Sequence, residues 1–194
     1  MKVTDDETSR VSLLVEGYPR YGFQILSRLL EGGMKGLCVT RLHPDYVVQK
    51  HSLKNVKCYW LSRCKGKEVI SPRSLGQLVR ILKNGTREKH ALAFLDGLEY
   101  LLLWNDIGKV MSALKEVDSA LSENKGSMLV CIDPLTLEQM DLDRLYEMFS
   151  RKEASELMRT AVSSGSPQIS GALQENVGQT VGGLRPPREL PAAP

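Results

Sequence analysis

The chain has 194 residues, enough for one globular domain and a tail, and its 42% apolar content is close to the globular average. A net charge of +3 is too small to imply a polyanionic partner, and the lack of a run of about 18 apolar residues excludes a membrane span. The charge is unevenly divided, with 17 basic and 8 acidic side chains in residues 1–90 against 4 and 11 in residues 91–150. Either the two halves attract each other within the fold, which we favour, or one edge of the domain is basic enough to hold an anion.

Runs of apolar residues predict five strands, each followed by a helical pattern. The strands are predicted at 12–15, 35–42, 57–63, 91–95 and 127–132. The most regular helical spacing runs from Ile107 to Leu121, with Asp106 as its N-cap, and Ser71 is the predicted N-cap of the helix before the fourth strand. Strands that are apolar throughout and alternate with helices predict an α/β fold, three-layered and doubly wound around a mainly parallel five-stranded sheet.

The composition divides the chain into four segments. Residues 1–10 form a polar leader without the apolar stretch of a signal peptide, and residues 11–150 form the α/β domain. Residues 151–162 are predicted as a helical extension, and residues 163–194 as a disordered tail, because Ser, Gly, Pro, Gln and Ala dominate there. Since the four cysteines show no zinc-site spacing and no targeting signal is present, we expect a cytoplasmic protein without a metal.

The fourth predicted strand carries the first candidate for a functional residue. The apolar run ends on Asp96, and Gly97 then leads into a helical pattern. This arrangement places Asp96 at the carboxyl tip of a central parallel strand, the edge where doubly wound sheets bind ligands. In nucleotide-hydrolysing folds, an aspartate at such a tip helps to hold Mg²⁺.

The turn after the first strand has the glycine spacing of a phosphate loop. Gly17 and Gly22 match the two glycines of G-x-x-x-x-G-K-[ST], but Phe23 stands at the lysine position and Gln24 at the hydroxyl position. Phenylalanine supplies neither the charge nor the donor that β- and γ-phosphates need. We therefore interpret the turn as a degenerate phosphate loop and predict no P-loop hydrolysis, although an ordinary β–α turn explains the two glycines equally well.

Charged residues follow several of the predicted strands. Arg41, Arg63, Asp96 and Asp133 fall at strand ends, and Lys65 lies close to Arg63. Two arginines at one edge can bind a ligand's carboxylate or phosphate. Alternatively, they pair with the two aspartates and neutralise the edge, which is the interpretation we favour. No arrangement of residues predicts a catalytic group, and we expect no cofactor.

Four segments of the chain carry a resemblance to a known family. They read GLCVTRLHPDYV (36–47), YWLSR (59–63), FLDGLEYLLLWN (94–105) and VCIDPLTL (130–137). Together they resemble the archaeal family called domain of unknown function 835, over most of the predicted domain. That family is distantly similar to RecA/KaiC-type ATPases but lacks their Walker A motif. The resemblance therefore implies a degenerate RecA-like topology.

The resemblance also implies a class of function. Members of that family occur alone or joined to sensory and signal-transduction modules such as PAS domains, and none of their residues can be carried over as catalytic. We therefore expect a non-enzymatic regulatory or interaction module of an archaeal signalling system, which binds protein partners and can form a homo-oligomer. The alternative is a cryptic nucleotide- or anion-binding protein that uses the charged edge. Nucleic acid is the least favoured partner, because no RNA- or DNA-binding signature is present.

Overall fold

The computed structural model describes residues 9–17 and 20–163, so most of the predicted leader and tail lie outside the described residues. The strands are β1 Val11–Val15, β2 Gly36–Thr40, β3 Val56–Leu61, β4 Val69–Ile70, β5 Leu92–Asp96, β6 Ser127–Ile132 and β7 Ser150–Glu153. The helices are α1 Gly22–Glu31, α2 Pro44–His51, α3 Leu75–Gly85, α4 Leu98–Leu102, α5 Ile107–Asn124, α6 Gln139–Met148 and α7 Ala154–Ser163, with a 3-10 turn at Pro134–Thr136. None of the helices in this part of the chain is long and apolar enough to cross a bilayer.

The strands form one sheet in the order β4-β3-β2-β5-β6-β1-β7, and every neighbouring pair is parallel. The predicted α/β fold with a parallel sheet is confirmed, but the prediction of five strands is wrong, because the sheet has seven. The two additional strands lie at the two edges. β4 has only two residues, and β7 reads Ser-Arg-Lys-Glu, so neither produces the apolar run by which buried strands are recognised.

Side chains along each strand alternate between the two faces of the sheet. Since both faces carry apolar side chains, helices cover both of them. In β5, Ala93 and Leu95 face a core that α3, α5 and α6 complete. Leu92 and Phe94 face a second core, which α1, α2 and α7 complete. The central strand is therefore buried on both sides, which explains its uninterrupted apolar sequence.

The two predicted helix N-caps have different outcomes. Asp106 is the N-cap of α5, as predicted, and its carboxylate accepts from the backbone N–H of Gly108 at 2.8 Å. The prediction for Ser71 is wrong, because α3 begins at Leu75 with Ser74 before it. The carbonyl of Ser71 instead accepts from the N–H of Ser74 at 2.9 Å and closes a turn that begins at Pro72.

Phe94 offers a direct test of this core. Its side chain is fully buried at the centre of the sheet, and its ring lies 5.3 Å from that of Phe23, which is half-buried on α1. We expect Phe94→Ala to lower the free energy of unfolding by about 3–5 kcal/mol, since the cavity would lie inside closed packing. Phe23→Ala removes the same type of ring from a half-buried position and should lower the free energy of unfolding by clearly less. Urea denaturation measures both, and equal costs would contradict this description of the core.

Candidate functional site

Asp96 lies at the carboxyl edge of the sheet, as its position at the end of a strand predicted. The carboxylate is only 4% exposed and accepts from the hydroxyl of Thr40, its register partner on β2, at 2.9 Å. The backbone carbonyl of Asp96 accepts from the N–H of Arg41 at 3.1 Å. Gly97 then turns the chain into α4 with a φ of 126°, a conformation that side chains with a Cβ rarely adopt. Asp96 is therefore fixed by the backbone as well as by its side chain.

Two arginines bind the carboxylates around Asp96. Nη1 of Arg41 lies 2.6 Å from Glu99, and its Nε lies 3.7 Å from Asp96. Arg20 lies 3.9 Å from both of these carboxylates and 3.4 Å from the carboxylate of Asp133. The two guanidinium groups thus connect three carboxylates from two neighbouring strand ends, and each arginine is shared by more than one acidic partner.

Arg63 is not one of these partners, so the predicted pairing of this residue with Asp96 or Asp133 is wrong. Its guanidinium carbon lies 5.3 Å from the centroid of the Trp104 ring, and the side chain is exposed, as is Lys65 on the same loop. The sheet order gives the reason. Because β2 lies between β3 and β5, Arg41 at the end of β2 is next to Asp96 at the end of β5. Arg63, which follows β3, lies one strand further away. Arg20 takes the position expected for Arg63.

The degenerate phosphate loop contains an anion of its own. Tyr18 and Pro19 lie outside the described residues, but Glu16 at the start of the loop is buried. Its carboxylate accepts from the backbone N–H groups of Tyr21 at 2.9 Å and of Gly22 at 2.8 Å. These N–H groups are at the N-terminus of α1, the position where nucleotide-binding folds hold a phosphate. An internal carboxylate therefore occupies the anion position of this turn.

Gly22 is required by this close approach. A Cβ at residue 22 would lie 2.7 Å from the sulfur of Cys131 and 3.1 Å from the nearer carboxylate oxygen of Glu16. Burial, followed by the charge of Glu16, raises the pKa of the Cys131 thiol well above its ordinary value. The thiol thus stays protonated beside the Glu16 carboxylate.

The residues after Gly22 have the roles of an ordinary first helical turn. The ring of Phe23 stacks on His51 at 5.0 Å and contacts Phe94 at 5.3 Å, so it belongs to the apolar face of α1. Gln24 is exposed on the other side of the helix. Neither side chain supplies the lysine charge or the hydroxyl that a phosphate loop provides for the phosphates and for Mg²⁺.

Asp133 has a structural role in addition to its pairing with Arg20. One carboxylate oxygen accepts from the N–H of Leu135 at 3.1 Å, and its carbonyl accepts from the hydroxyl of Thr136 at 2.7 Å. These bonds begin the 3-10 turn that follows β6. One carboxylate oxygen of Asp133 therefore caps this turn, while the other faces Arg20.

The carboxyl edge as a whole is acidic. It holds the side chains of Glu16, Asp96, Glu99 and Asp133 with those of Arg20 and Arg41. Within residues 9–17 and 20–163, no group of three His, Cys, Asp or Glu side chains is arranged to hold a metal ion. Sequence patterns did not identify Arg20 or Glu99, since each pairs with a residue that only the folded sheet brings near. They also did not identify Glu16, whose donors lie across the turn that follows β1.

Comparison with known proteins assigns the chain to a family without assigning it an activity. A family model described as "Protein of unknown function (DUF835)" matches residues 18–149. The match contains Arg20, Arg41, Asp96 and Asp133 and extends from the degenerate loop to the end of α6. No curated protein matches the chain significantly.

Asp96 gives this site a measurable pH dependence. Burial raises the pKa of Asp96 above its ordinary value, and the charge of Arg41 and the hydrogen bond from Thr40 only partly offset this effect. Between the ordinary and the raised pKa the folded state binds more protons than the unfolded chain, so the contribution of Asp96 to stability falls as pH rises through that window.

We therefore expect wild-type stability to fall, relative to that of Asp96→Asn, as pH rises from about 3.5 towards neutrality. Asparagine keeps an acceptor for the hydroxyl of Thr40 but cannot ionise. Urea denaturation of both proteins in parallel at each pH gives the difference, which removes the contribution of all other carboxylates. A difference that stays constant, or that moves in favour of the wild type at higher pH, would contradict this assignment.

Proposed function

We propose that this chain, which belongs to the domain of unknown function 835 family, is a non-enzymatic interaction module of a signal-transduction system. The observation that carries the proposal is the carboxylate of Glu16 at the N-terminus of α1. In a nucleotide-binding protein that position holds a phosphate. Here the donors of the first helical turn already have an anionic acceptor, so a phosphate arriving there meets a like charge.

The charged edge supports the same proposal. Both arginines near Asp96 are paired with carboxylates, and the cluster contains more carboxylates than guanidinium groups. A nucleotide triphosphate would have to separate these ion pairs and would leave the buried carboxylate of Asp96 without its charged partners, which is unfavourable. The alternative, a cryptic nucleotide- or anion-binding protein that uses this edge, is therefore the weaker candidate.

The fold favours descent from a nucleotide-binding ancestor of the RecA-like type. A parallel sheet with helices on both faces, a glycine-containing turn after β1 and an acidic tip on β5 are features that such an ancestor would leave behind. Loss of the lysine and hydroxyl at residues 23 and 24 removes the chemistry while the scaffold remains stable. A stable scaffold whose loops carry charged side chains at one edge suits binding to protein partners, and we propose that the module works in an archaeal signalling system.

The test is calorimetric titration with ATP, GTP and cyclic dinucleotides, each with and without Mg²⁺, together with an assay of nucleotide hydrolysis. We expect no binding heat and no turnover, because Glu16 holds the helix donors and Phe23 supplies no charge. Asp96→Ala is the control, since it removes the one residue that would hold Mg²⁺. Turnover in the wild type that disappears in this variant would contradict the proposal and establish the enzyme alternative.

A further inference from the structure

A second group of charges lies on the loops that follow β3, β4 and β5. The guanidinium carbon of Arg73 lies 4.2 Å from the centroid of the Trp104 ring, and that of Arg63 lies 5.3 Å from it. Both distances are within the range of a cation–π contact. We call these three residues the Trp104 platform.

Hydrogen bonds from one side chain join the loop that carries Trp104 to the turn that carries Arg73. The side-chain amide of Asn105 donates to the carbonyl of Pro72 at 2.8 Å and to that of Leu101 at 2.7 Å. These bonds fix the end of α4, which carries Trp104, against the turn that carries Arg73. The position of one guanidinium relative to the ring is therefore set by the fold.

The arginines of the platform differ from those of the acidic edge in their partners. In the part of the chain that the structure describes, neither Arg63 nor Arg73 has a carboxylate within ion-pair distance, and both are exposed. Lys65 and Lys67 are exposed on the same loop as Arg63, where Glu68 is the one acidic residue. Like charges gathered without counter-charges cost stability, and proteins accept that cost most often where a ligand supplies the opposite charge.

The two tryptophans of the chain are held differently. The indole N–H of Trp60 donates to the carbonyl of Arg41 at 3.1 Å, so a hydrogen bond fixes that ring. The indole N–H of Trp104 is buried and has no acceptor among the described residues. The position of Trp104 thus depends on packing and on the two guanidinium groups, so binding of an anion to those groups changes the surroundings of this ring.

We propose that the Trp104 platform binds an acidic segment of a partner protein, an inference that rests on the interaction role proposed above. Carboxylates of the segment would form paired hydrogen bonds with Arg63 and Arg73. Leu103, which is 73% exposed beside Trp104, supplies apolar contact for a neighbouring side chain of the segment. Arginine and tryptophan are also the residue types that contribute most to binding at protein interfaces.

The surroundings favour a protein segment over a nucleic acid. The acidic cluster around Asp96 lies at the same carboxyl edge of the sheet, because β3, β2 and β5 are consecutive parallel strands. A long polyanion laid along this edge would meet those carboxylates and be repelled. A peptide with a short acidic stretch can bind the platform without extending across that cluster.

The experiment measures fluorescence anisotropy of a labelled peptide rich in Glu and Leu, with a matched peptide in which Gln replaces every Glu. We expect the acidic peptide to bind and the Gln peptide not to bind. Arg63→Gln and Arg73→Gln should each weaken its binding by roughly tenfold, and added salt should weaken it further. The control is Arg87→Gln, which removes the same charge near the amino end of β5, at the opposite edge of the sheet. It should change the affinity by less than about twofold.

Circular dichroism establishes that each variant is folded. The proposal is overturned if the acidic peptide does not bind, or if its affinity is unchanged in Arg63→Gln and Arg73→Gln. It is also overturned if a single-stranded oligonucleotide of equal charge binds more tightly than the peptide and with the same dependence on the two arginines. The nucleotide titration separates the two proposals. If neither the peptide nor a nucleotide binds, only the proposed role of the Trp104 platform is rejected. If ATP binds, the proposed interaction role of the protein is rejected as well.

Discussion

The bond on which the first β–α unit depends joins the carboxylate of Glu16 to the N-terminus of α1. The first N–H groups of a helix have no partner within it, and buried donors without acceptors cost about 1–3 kcal/mol each. Glu16 supplies an acceptor to Tyr21 and Gly22 and lies beside the protonated thiol of Cys131 on a neighbouring strand. One carboxylate therefore joins the end of β1 to the beginning of α1. The same bond gives the turn its own anion at a helix N-terminus, the kind of position where phosphates bind in other proteins.

The uneven charge of the sequence has a physical counterpart at the carboxyl edge. Arg20 and Arg41 belong to the basic first half of the chain, and their partners Asp96, Glu99 and Asp133 belong to the acidic second half. At this edge the two halves attract each other. Arg63 and Arg73, which have no acidic partner among the described residues, lie at the Trp104 platform further along the same edge. The edge thus holds an acidic cluster with its own two arginines and, further along, two arginines without a carboxylate partner among the described residues.

Local patterns predicted most of the fold, and what they missed depends on tertiary neighbours. The alternation of apolar runs and helical spacing predicted the parallel sheet, and Asp106 showed the start of α5, because capping acts within one helical turn. The edge strand β7 was missed because its polar sequence pairs with β1 without being enclosed by helices. The pairing predicted for Arg63 was wrong because it depends on the strand order, which places β2 between β3 and β5. Glu16 was missed because its donors, the N–H groups of Tyr21 and Gly22, lie 5 and 6 residues further along the chain, beyond the spacing of a capping rule.

The most direct test of the internal anion compares Glu16→Ala, Glu16→Gln and the wild type by urea denaturation, in chloride and in sulfate. We expect Glu16→Ala to lose about 1–3 kcal/mol in chloride, because the N–H groups of α1 lose their acceptor, and Glu16→Gln to lose less. Sulfate stabilises most proteins by exclusion from their surface, so the wild type gives the baseline for that effect. Sulfate should stabilise Glu16→Ala by more than this baseline, since the anion can then bind the helix N-terminus. Wild-type stability in Glu16→Ala, with the same response to sulfate, would show that the carboxylate does not hold this position.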